Sequence, residues 1–75
     1  MMSTLPILSG RALIHVLSKL GYREVRQRGS HIRLECPNRA PVTVPEYRSI
    51  DRSLLRKILR DADISVDDFN ELCKR

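Results

Sequence analysis

The chain has 75 residues and a net charge of +5, a length that reads as one domain. A chain this short buries only about 60% of its unfolded surface, and with two tyrosines, one phenylalanine and no tryptophan its core must come from Leu, Ile and Val. Cys36, Cys73, His15 and His31 are the obvious soft donors; their spacing gives no disulfide framework and no zinc set, so no metal or other cofactor is expected.

The charge is unevenly placed. Residues 1–60 carry twelve Lys/Arg against four Asp/Glu, and residues 61–75 carry two against five. A basic body with an acidic end points to a polyanionic partner, nucleic acid before membrane. A merely soluble surface is the other reading of net charge alone. The first eight residues are apolar but few, lack a basic segment and contain Pro6. They read as an N-terminal extension of a single domain over 1–75, and as neither signal peptide nor membrane span. A cytoplasmic protein with reduced thiols is expected.

Ser9 is a good N-cap, and Leu13, Val16, Leu17 and Leu20 follow at helical spacing until Gly21 stops the helix. Arg11, His15 and Lys19 fall on the opposite, wetted face. Tyr22 to Gln27 reads as a first strand, with Arg23, Val25 and Gln27 on one face and Tyr22, Glu24 and Arg26 on the other. Arg28-Gly29 makes the turn, with Gly29 in the left-handed position, as a bulge or a plain turn residue. Ile32-Arg33-Leu34-Glu35 alternates apolar and polar, the period of a half-buried strand. Ile32 and Leu34 take one face; His31 and Arg33 take the other.

Cys36 to Pro41 is a loop by composition. Pro41 to Pro45 is a short third strand whose prolines suit a sheet edge. Val42 and Val44 join Ile32 and Leu34, leaving Thr43 beside His31 and Arg33. After a linker from Glu46 to Ile50, Asp51 caps a second helix. Leu54, Leu55, Ile58, Leu59 and Ala62 form its apolar stripe, with Arg52, Arg56, Lys57 and Arg60 opposite. That basic side is either solvated or tracks a nucleic-acid backbone. Ser65 caps a last short helix, with Asp68 at the capping-box position and Val66, Phe69 and Leu72 turned inward. The sum is an α+β fold: a two-layer domain with a three-stranded antiparallel sheet and helices on one face. The other face stays free.

His31, which ends the run Arg26-Gln27-Arg28-Gly29-Ser30-His31, points to that free face. Arginines neutralise phosphates, glycine turns the backbone tightly, and histidine exchanges protons near neutral pH. RNA carries its own nucleophile, the 2′-hydroxyl beside each phosphate. His31 is therefore a candidate general base, and Arg26, Arg28 and Arg33 are candidates to stabilise charge on a phosphorane. No donor for the leaving 5′-oxygen is evident beyond Tyr47. Gly29, Ser30, Tyr47 and Arg48 complete the expected RNA-contacting set. Two other readings stay open on the residues alone. One is a non-catalytic RNA-binding module that recognises shape; the other gives His31 only a structural hydrogen bond.

The run Val25-Arg26-Gln27-Arg28-Gly29-Ser30-His31 is followed in order by Val42-Thr43-Val44-Pro45 and by Leu54-Leu55-Arg56-Lys57-Ile58-Leu59. Together they resemble the HicA toxin family over residues 9–72. The resemblance implies a double-stranded-RNA-binding-like fold, ribosome-independent mRNA cleavage, neutralisation by a HicB antitoxin, and His31 as the catalytic histidine. It leaves RNA sequence preference and oligomeric state open. The chain departs from the family pattern at three places. Glu46-Tyr47 stands where many members carry a second histidine, and Arg52-Ser53 stands where Gly-Thr is usual. Asp63 replaces the glycine that ends the second helix and is expected to take the same left-handed cap.

Overall fold

A computed structural model of the protein describes residues 4–75; Met1 to Ser3, the start of the expected N-terminal extension, lie outside the described residues. The elements are α1 (Gly10–Ser18), β1 (Arg23–Arg28), β2 (His31–Cys36), β3 (Arg39–Pro45), α2 (Arg52–Asp61) and α3 (Val66–Lys74). Each helix starts at a small polar side chain. Ser9 Oγ accepts from the Ala12 amide at 3.0 Å, Asp51 Oδ1 from Leu54 at 2.8 Å, and Ser65 Oγ from Asp68 at 3.0 Å. Each bond satisfies one of the amides that a helix start leaves unpaired.

Cations close two of the helix ends. Arg39 Nη1 donates to the Ala62 carbonyl at 2.9 Å, just past α2, where Asp63 takes the left-handed position at φ 59° without being glycine. Lys19 Nζ donates to the Leu72 and Arg75 carbonyls at 2.9 and 2.6 Å and so covers the end of α3. Both complement the partial negative charge of a helix C-terminus.

The strands form one antiparallel sheet in the order β1-β2-β3. Ile32, Leu34, Val42 and Val44 turn to the helices and are buried with Leu13, Leu17, Leu55, Leu59 and Phe69. Fully burying one such side chain contributes about 1.5–3 kcal/mol. Residues ahead of α1 also join the domain. Leu5 is buried, Leu8 bridges to Ile50, and Arg52 Nε donates to the Leu5 carbonyl at 2.9 Å.

The strand boundaries differ from the sequence expectation in three ways. Tyr22 precedes β1 and is buried, its hydroxyl donating to the Ala40 carbonyl at 2.8 Å. Within β1, Glu24 pairs with Leu34 while Arg26 pairs with Arg33, so Val25 is an extra residue. This bulge breaks the alternation and moves Arg23 to the face of Arg26 and Arg28, and Glu24 to that of Gln27. Finally, β3 begins at Arg39, and the loop shrinks to Pro37-Asn38 with Asn38 at φ 70°. Proline followed by a positive-φ asparagine suits a type II turn, which hides inside a stretch whose composition reads as a longer loop. Pro41 falls where β3 has its own register shift, a defect an edge strand tolerates.

Candidate active site

The turn between β1 and β2 is Gly29-Ser30, one residue later than expected, and it is flanked by the register partners Arg28 and His31. Gly29 sits at φ 56° and Ser30 is not at positive φ. That sign pattern is the type II′ turn, whose twist matches the strands it joins. Because Ile32 and Leu34 are pulled to the helices, His31 and Arg33 are left on the open face. The Val25 bulge then sets the partners across the ladder: Arg28 opposite His31, Arg26 opposite Arg33, and Arg23 opposite Glu35. Partners on one face have Cβ atoms about 4.5–5.5 Å apart. From β3, Thr43 stands opposite Arg33 and Pro45 opposite His31.

Four of the expected site residues, Arg26, Arg28, His31 and Arg33, are thus gathered on one face. Gly29 and Ser30 supply the turn between them. Like charges directly opposed in a sheet are unfavourable, so the Arg26–Arg33 pair suits a bound anion. Arg33 is partly offset by Glu35 at 3.6 Å. Arg26 and Arg28 enter no ion pair among the described residues. Tyr47 and Arg48 do not lie on the sheet. They follow Glu46, whose amide donates to the Ser30 carbonyl at 2.6 Å, so the linker adjoins the turn. Tyr47 is 47% exposed, unlike the buried Tyr22 and Phe69.

Behind the sheet is a polar network that sequence reasoning missed. Arg11 lies on an exposed helix face, as expected, and from there its Nε donates to Glu46 Oε2 at 2.6 Å and its Nη1 to Glu24 Oε2 at 2.9 Å. Gln27 Nε2 donates to Glu46 Oε1 at 3.1 Å and to the Gly29 carbonyl at 3.0 Å. The hydrogen bond from Arg11, reinforced by its charge, holds the Glu46 carboxyl below the usual carboxylate range. The same bond to Glu46 raises the Arg11 guanidinium. No local pattern marks these partners, because they meet only once the bulge has turned Glu24 and Gln27 to the helix side.

The basic side of α2 is partly committed to structure: Arg52 binds the Leu5 carbonyl and Lys57 pairs with Asp61 at 2.9 Å. Since α2 covers the helix side of the sheet, Arg56 and Arg60 point away from His31. Among the described residues, no group of three or more His, Cys, Asp or Glu is placed to hold a metal ion. Cys36 and Cys73 are free thiols. No described helix is long and apolar enough to cross a membrane.

No curated protein and no solved structure matches the chain. The family described as the HicA toxin of bacterial toxin–antitoxin systems matches residues 10–64. This match runs from the first residue of α1 to just past the left-handed Asp63, and so takes in the whole sheet and the hairpin that carries His31. It covers well over half of the chain, and the fold is the one the resemblance implied; the protein belongs to the HicA toxin family of bacterial toxin–antitoxin systems.

Proposed function

We propose that this toxin is an endoribonuclease that cleaves mRNA by metal-independent, histidine-assisted chemistry and is silenced by a HicB-like antitoxin. The observation that carries the proposal is the register of the hairpin. It sets His31 opposite Arg28, one step from the opposed Arg26 and Arg33, on a face that no described helix covers. His31 accepts the proton of the 2′-hydroxyl as the 2′-oxygen attacks the adjacent phosphorus. Arg28, with Arg26 and Arg33, stabilises the charge that develops on the phosphorane. The bond to the 5′-oxygen then breaks, leaving a 2′,3′-cyclic phosphate and a 5′-hydroxyl. The leaving oxygen takes its proton from water or from the Tyr47 hydroxyl. Arg48 and the exposed Tyr47 ring extend the contact along the strand, one to a phosphate and the other to a base.

Membership of a toxin–antitoxin family implies an antitoxin partner. The Arg26–Arg33 hairpin is the surface that partner would cover, since masking it removes both the base and the phosphate contacts. An acidic antitoxin surface complements it. With mRNA as substrate, the site of action is the cytoplasm.

An RNA lacking the 2′-hydroxyl at the cleavage site tests the reaction. It should bind and resist cleavage completely. Cutting of that substrate would make water the attacking group, and binding of ordinary RNA without any product would leave a non-catalytic RNA-binding module.

A further inference from the structure

We infer that Glu46 is a positioning residue: from the helix side of the sheet it locks the Gly29-Ser30 turn and so fixes His31 against Arg28. The inference rests on the ribonuclease reading of His31. Three tethers converge on the turn. The Glu46 amide donates to the Ser30 carbonyl at 2.6 Å. Glu46 Oε1 accepts from Gln27 Nε2 at 3.1 Å, and the same nitrogen donates to the Gly29 carbonyl at 3.0 Å. Glu46 Oε2 accepts from Arg11 Nε at 2.6 Å, while Arg11 also holds Glu24 at 2.9 Å. Both turn carbonyls are thereby tied, one by the Glu46 main chain and the other by a glutamine that the Glu46 side chain orients.

The far end of the tether is rigid. Arg11 stands in the first turn of α1, and that turn is pressed onto the linker. Gly10 N donates to the Tyr47 carbonyl at 2.8 Å, and a Cβ at Gly10 would run into the Pro45 carbonyl oxygen. The near end needs an anchor, because every residue of β1 is exposed and the turn projects at the sheet edge. Gln27 is the partner of Ile32, whose side chain faces the helices. The network therefore lies behind the sheet, away from RNA on the His31 side. Exposed ion pairs add little to stability. What this one supplies is orientation, and misplacing a catalytic group by about 1 Å can cost about 100-fold in rate.

The test compares wild type, Glu46→Ala, Glu46→Gln, Gln27→Ala and the double alanine variant, in RNA-cleavage kinetics and in amide exchange of residues 29–31. Glu46→Ala should lower kcat about tenfold with KM nearly unchanged, and exchange at the turn should accelerate. Gln27→Ala should do the same, and the double variant should be no slower than either single one, since both act through one bond. Glu46→Gln keeps an acceptor for Gln27 and should recover most of the rate. Turn amides that exchange as in wild type in Glu46→Ala would overturn the inference, as would losses that simply add in the double variant. Faster exchange in Glu46→Ala, beside a wild-type protein that cuts no RNA, would instead remove the ribonuclease reading and the catalytic role of Glu46 with it, leaving only an anchored turn.

Discussion

Arg28 and His31 are register partners on the open face of the sheet, separated along the chain only by Gly29-Ser30. Their spacing is set by the turn and not by the flexibility of either side chain's strand. The proposed catalytic base and the proposed phosphate-binding cation are thus held by the tightest connection the chain can make. The same turn is reached from behind by Gln27 and Glu46. The site is small enough for a 75-residue chain because one hairpin provides most of it.

Gly10 and Gly29 should both resist substitution, for opposite reasons. A Cβ on Gly10 runs into the Pro45 carbonyl oxygen, a backbone atom that cannot swing aside. Overpacking of this kind costs about 1–3 kcal/mol and sometimes more. Gly29 has open space around it but stands at φ 56°, where a side chain costs about 1–2 kcal/mol of backbone strain. Urea denaturation should place Gly10→Ala as the less stable of the two. Stability equal to wild type in either variant would contradict the corresponding argument.

RNA binding should weaken steeply with salt. Removing Arg26 or Arg28 should make the slope of log affinity against log salt shallower by about 0.7–0.9, the share of one phosphate contact. Arg33→Ala should change the slope less, because Glu35 already lies 3.6 Å from it. An affinity independent of salt would rule out this face as the main contact.

What the sequence made legible follows from how local each signal is. Ser9, Asp51 and Ser65 each cap a helix through a bond spanning three residues, and all three do so. Alternation in Ile32-Arg33-Leu34 is equally local, and it placed His31 on the open face. Asp63 takes the left-handed position because a short polar side chain, able to hydrogen-bond locally, tolerates it more readily than most side chains do. The bulge at Val25 was hidden, since one inserted residue leaves composition unchanged yet swaps the faces of everything before it. Gly10 was hidden as well: its need for a bare Cα arises from Pro45, thirty-five residues away. The Arg11–Glu46 pair spans the same distance.

The Glu46 charge should leave a signature in the pH dependence of stability. Its carboxyl is held below the usual value of 4.5 by the Arg11 hydrogen bond, so the folded protein favours the ionised form. The resulting stability is present above the unfolded value and is lost as pH falls through the depressed folded value. Thermal unfolding of wild type and Glu46→Gln should therefore differ slightly at neutral pH and converge in acid. A difference that persists undiminished at low pH would show that the carboxylate charge is not its source.

The most direct measurement of the central claim is the single-turnover rate of RNA cleavage by His31→Ala beside wild type. His31 is exposed, so the truncation opens no cavity, and both folding and antitoxin binding should survive it. The rate should fall by about 10²–10⁴-fold, the contribution typical of a general base. Cleavage by His31→Ala at the wild-type rate would make His31 a structural hairpin residue and leave the ribonuclease mechanism without its base.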